Sequence, residues 1–181
     1  MNKPAWKMIA AGAVSALALA ACAPGPSTAA VVNGSPITER QIDEIMAACA
    51  AAGYPQQGQE VARHSFVVGA LSGEIVATGL LDQELVPDEE LVKRFVVAEV
   101  GPAGNDPVCG PYIVKNMQMS VAMQEMSQGM SPEQLKDTVL GIFDSIELNP
   151  RYGRMKDLGD EGFGLVSGSM SADVQAPAFG R

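Results

Sequence analysis

Aromatic residues make up only 5% of this 181-residue chain. Large flat rings therefore cannot dominate its interior, and Ala, Val, Leu and Met must do the packing. Histidine occurs once, at His64. No G-x-S-x-G elbow accompanies it, and neither G-x-x-x-x-G-K-[ST] nor a G-x-G-x-x-G before a helix is present. His64 thus reads as a helix-surface or packing residue. Glu60, Glu74, Asp88, Glu89 and Glu90 read as solvated faces and a charged helix start. Cations are outnumbered, 12 against 21, for a net charge of −9. A chain so acidic has no electrostatic footprint for DNA or RNA. Cysteine is scarce, and Cys49, Cys109 and His64 fit no zinc spacing. The expectation is a chain that is not an enzyme, with no cofactor and no metal.

Long apolar runs are lacking as well, except near the start. Lys3 and Lys7 form a positive n-region, and residues 8–20 are apolar and Ala-rich. That run is short and small for a membrane span and suits a signal peptide. It ends Leu19-Ala20-Ala21-Cys22, which resembles the bacterial lipobox. The resemblance implies that the Cys22 thiol is lipidated and becomes the mature N-terminus, the alternative being ordinary cleavage near the alanines. Residues 1–21 then form a lipoprotein signal peptide, and residues 22–30 a Pro/Ser/Gly tether. The expected location is the extracytoplasmic face of the cell membrane, held by the lipid.

The remaining chain is organised around Val31-Val32-Asn33-Gly34 and the helix start just beyond it. Two β-branched residues end at a turn pair that tolerates positive φ. Thr38 and Gln41 have capping-box spacing, and Ile37 and Ile42 can staple the entry. A first helix is expected from about Glu39 to Ala52, and a second from Gln59 to about Leu81. A third starts near Pro87, taken as its first residue, with Asp88, Glu89 and Glu90 in the first turn. Gly101–Pro111 is a break rich in Gly-Pro and Asp-Pro. A fourth helix spans about Tyr112–Gln128. Ser131, Pro132 and Gln134 then start a fifth, ending near Asp144. Ser145–Pro150 alternates like a short strand closed by Asn-Pro. Residues 154–181, rich in Gly, Ser and Ala, read as a disordered tail.

Two groups of sulfur side chains stand out. Outside the cytoplasm Cys49 and Cys109 suit a disulfide, and the alternative is two separate buried thiols. On the fourth helix Ile113, Val114, Met117 and Val121 fall on one side. Met119, Met123 and Met126 fall nearly opposite, and Met130 continues their line. This second face either lines an outward groove that binds peptides or packs beneath the second helix or the tail.

The opening V-N-G-x-x-I-T run resembles the entry to the SurA N-terminal domain, shared in outline with PrsA-type foldase lipoproteins. Asn149-Pro150-Arg151-Tyr152-Gly153 resembles the closing signature of exported actinobacterial relatives, although Arg154-Met155 replaces the usual Trp. The resemblance covers about Val31–Gly153 and implies a mainly α fold, a helical domain closed by a short two-stranded β pairing of its ends. It further implies a membrane-anchored, chaperone-like domain that holds unfolded or extended segments of exported proteins. The helices between Val31 and Gly153 leave no room for the prolyl-isomerase module that such proteins often carry, so the expectation is a chain that is not an isomerase. Other readings are an assembly lipoprotein that docks one defined envelope partner, and copper handling by the Met thioethers.

Overall fold

The structure is a computed structural model that describes residues 25–55, 63–157 and 163–166. Strands β1 (Thr28–Val32) and β2 (Ser35–Thr38) form a hairpin. Asn33 and Gly34 lie at φ 48° and 82°, as a two-residue turn with both central residues left-handed requires. Helices α1 (Glu39–Ala51), α2 (Arg63–Ala77), α3 (Glu89–Val100), α4 (Pro102–Asn105), α5 (Cys109–Gly129) and α6 (Pro132–Asp144) come next. Strand β3 (Ile146–Leu148) returns to pair antiparallel with β1, placing Ala30 opposite Leu148 and Val32 opposite Ile146. The fold is mainly α, and its ends pair as expected. The sheet has three strands rather than two, in the order β2-β1-β3. Pro36 lies on β2, an edge strand, where its missing N–H breaks no ladder.

Local chemistry sets most boundaries. Thr38 and Ser131 each accept from the backbone three residues on, and Gln41 and Gln134 reach back to complete both capping boxes. Ile37 and Ile42 are buried at 5% and 0% exposure, which places the expected staple in the core. Four boundaries differ from expectation. Helix α2 ends at Ala77 rather than near Leu81, just before Gly79 turns at φ 69°, and its expected start at Gln59 lies outside the described residues. The tether does not extend to residue 30, because β1 begins at Thr28 and buries Ala29 and Ala30 completely. Pro87 is not the first residue of α3. Asp88 caps that helix by accepting from the Leu91 N–H at 2.9 Å, while the Pro87 carbonyl accepts from the Gln118 amide at 2.7 Å. Helix α5 begins inside the expected break because Asp106 accepts from the Val108 and Cys109 N–H groups at 2.9 and 2.7 Å. Those bonds, Cys109's first, hold the Asp106 carboxyl below the usual range.

Helix α5 is the central element, packed against α2 and α3 and touching α1, α4 and α6. Its buried row is Gly110, Val114, Gln118, Ala122 and Met126. Two glycines permit the close approach. A Cβ on Gly69 would lie 2.3 Å from the Tyr112 hydroxyl, and one on Gly110 would lie 2.6 Å from the Gly104 carbonyl oxygen. Tyr112 also stacks on Phe66, with ring centroids 5.5 Å apart.

Cys49 and Cys109 form a disulfide that joins the end of α1 to the start of α5, with Cα atoms 4.9 Å apart. Both cysteines are fully buried. In the segment expected to be a disordered tail, β4 (Arg154–Asp157) pairs antiparallel with β5 (Phe163–Val166). The signal peptide and Cys22 lie outside the described residues. Among the described residues no helix is long and apolar enough to cross a membrane.

Candidate functional site

Two features stand out in the folded chain: a polar clasp at the joined ends and an apolar groove beside it. The clasp explains the Asn149–Gly153 signature residue by residue. Asn149 donates its side-chain amide to the Thr28 carbonyl at 2.9 Å, and its side-chain oxygen accepts from the Arg151 N–H at 3.2 Å. Pro150 starts a 3-10 turn over Pro150–Tyr152, and Gly153 leaves it at φ 107°. Arg151 donates to the Pro26 carbonyl at 3.1 Å and faces Glu39 Oε1 in an ion pair. Its guanidinium also lies over the Tyr152 ring, 5.1 Å from the centroid.

Glu39, the first residue of α1, is the hub. Its Oε2 accepts from the Tyr152 hydroxyl at 2.7 Å and from Arg63 Nη2 at 2.6 Å. Arg63 also donates through Nε to the Tyr152 oxygen at 2.9 Å and through Nη1 to Asp43. The helix start adds favourable partial charge to this carboxylate. Burial works to raise its pKa. Hydrogen bonds from Tyr152, Arg63 and Arg151 outweigh burial and hold it below the ordinary 4.5. Both carboxylate oxygens are engaged, so the cluster functions as a clasp between chain ends.

A folded-state pKa below the unfolded value stabilises the fold above the unfolded value and ceases to do so as pH falls through the folded one. Glu39→Gln should therefore lose about 1–2 kcal/mol at neutral pH, a modest figure because the site is partly wet. The gap between variant and wild type should narrow in acid. Urea unfolding of both proteins, at neutral pH and below the ordinary carboxylate range, checks this. A gap independent of pH would show that the charge on Glu39 is not what counts.

The groove lies between α1, α2 and the first turns of α5, with a volume of about 300 Å³. Ala70, Gly73 and Ala77 give α2 a low floor. Ile37 and Ile45 line one wall, Val108 and Tyr112 the other. Val108 is one of the few large apolar residues left in water, at 40% exposure. Three polar side chains edge the groove: Gln41, Glu74 and Lys115. Gln41 is committed to Thr38, and Lys115 pairs with Glu89 at 2.8 Å. Among the described residues the Glu74 carboxylate has no partner.

The four methionines do not form one exposed strip. Met126 is 1% exposed and belongs to the core. Met119, Met123 and Met130 are half-buried and pack against it. The reason is their place along α5: at 100° per residue Met119, Met123 and, at the C-cap, Met130 flank the buried row that ends in Met126, between it and the exposed polar side of Ser120, Gln124 and Ser127. His64 is half-buried, and burial pushes its imidazole pKa down. Among the described residues, no group of three or more His, Cys, Asp or Glu side chains is placed to hold a metal ion.

Comparison with known protein families, curated proteins and solved structures finds no match to this chain.

Proposed function

We propose that this chain is an exported lipoprotein, anchored through Cys22, whose helical domain binds unfolded or extended segments of other exported proteins. The reading rests on the resemblance of both end motifs to the SurA N-terminal domain. The observation that carries it is the apolar groove of about 300 Å³ beside the joined ends. The groove is shallow and open, a form that suits part of an extended segment better than an enclosed small molecule. The groove takes the binding role that the Met119, Met123, Met126 and Met130 face would otherwise fill, since those side chains pack against the core and serve the fold.

Two measurements test the two halves of the proposal. The full chain, processed in its own envelope, should incorporate labelled palmitate and fractionate with membrane, and Cys22→Ala should abolish both. The mature protein should suppress the aggregation of several unrelated unfolded proteins at near-stoichiometric amounts. If it suppresses none and captures one folded envelope partner, the assembly reading replaces the chaperone-like one.

A further inference from the structure

We infer that the groove between α1, α2 and α5 takes an extended apolar segment that carries a lysine or arginine beside its buried side chains. This rests on the peptide-binding reading above and adds the chemistry of the segment. The apolar part comes from shape. Gly73 and its small neighbours leave room above α2 for one or two aliphatic side chains, and Val108 stays exposed at the edge until something covers it.

The cationic part comes from charge. The groove is edged by three polar groups, and two already have partners. Glu74 is half-buried and unpaired among the described residues. A carboxylate partly removed from water gains most from a cation brought against it, and loses most from a second anion. The net charge of −9 acts in the same direction at longer range.

One surface of the protein itself offers similar chemistry. On α3, Leu91 and Phe95 are 55% and 57% exposed, with Arg94 between them in sequence. Seating that stripe in the groove of another copy would join copies head to tail into an open-ended chain. A free peptide segment needs no such assembly, and the two occupants differ in mass.

The test uses fluorescence anisotropy with the mature protein and two short labelled peptides. Both have a Leu-Val-Leu centre, one ending in Arg and the other in Glu. The Arg peptide should bind about threefold to tenfold more tightly, the range of a single partly screened charge pair. Glu74→Lys should reverse that preference. Gly73→Leu should weaken both peptides by about tenfold or more, as befits the loss of one buried side chain. A Cβ at position 73 meets only the side chain of Lys115, at 3.4 Å, so this variant should melt with the wild type. Glu74→Lys, on the groove edge, provides a second reading if Gly73→Leu unfolds.

No binding of either peptide by the wild type would overturn the peptide-binding reading itself. Binding unchanged in Gly73→Leu would move the site elsewhere. Equal affinity for the two peptides, unaltered by Glu74→Lys, would remove the charge rule. Growth of sedimenting mass with concentration, abolished by Phe95→Ser, would put a second copy in the groove and overturn the peptide as its occupant.

Discussion

Replacing Cys49 and Cys109 together with alanine should lower the unfolding free energy by about 4 kcal/mol. The disulfide closes a segment 60 residues apart in sequence. Most of its effect is on the unfolded chain, which loses the freedom to separate α1 from α5. Domains of this size are typically stable by about 5–15 kcal/mol, so the loss is a large share of the total. The midpoint of thermal unfolding should fall by roughly 10–20 °C. Denaturant titration of the wild type and the double variant measures the difference directly. Coincident curves would mean that the link restrains neither state, and ready alkylation of both thiols in the native exported protein would mean that it does not form.

The second large effect is expected at Val32. This side chain is fully buried on β1, the strand between β2 and β3. Val32→Asp would place a carboxylate in that core with no designed partner. The group must either give up its charge or open the sheet, at a cost of about 4 kcal/mol or more. The expected result is loss of the cooperative melting transition, or its displacement far below the wild type. Val31 is only half-buried and projects to the opposite side of the strand. Val31→Thr is therefore the matched control and should cost under about 1 kcal/mol. If Val32→Asp melts with the wild type, closure of the chain ends by β1 and β3 does not hold the domain.

The readable parts of the sequence are those whose cause lies within a few residues. Thr38 with Gln41, and Ser131 with Gln134, are three apart, and both helix starts fall where those pairs place them. The Asn33-Gly34 turn and the alternation around Ile146 have equally local origins. The faces of α5 are not readable in this way. Ser120, Gln124 and Ser127 mark its wet side, but Met119, Met123 and Met130 lie between that side and the buried row, and an apolar thioether suits either place. Gln118 resembles a surface residue until its amide finds the Pro87 carbonyl, 31 positions earlier. The clasp is hidden for the same reason. Glu39 and Arg63 look like ordinary charged helix residues, and only closure of the ends brings Tyr152 and Arg151 to them. Val108 and Pro111 fall in a stretch that reads as a break. The groove they help to line appears only once Asp106 has started α5 three residues before the predicted position.

Because β1 and β3 run antiparallel, the chain enters and leaves this pair at the same end, with the Asn149 N–H bonded to the Ala29 carbonyl at 2.9 Å. Tension applied between residues 25 and 153 would load that ladder in the unzipping direction, one hydrogen bond at a time, rather than shearing all of them together. The first give would come at low force and free the strands and the clasp. Further extension would stop short, because the disulfide withholds the 60-residue stretch it closes. At about 3.3–3.6 Å per extended residue, that is roughly 200 Å of slack the protein cannot release. Mechanically, the domain is a latch that opens easily onto a tether of fixed length.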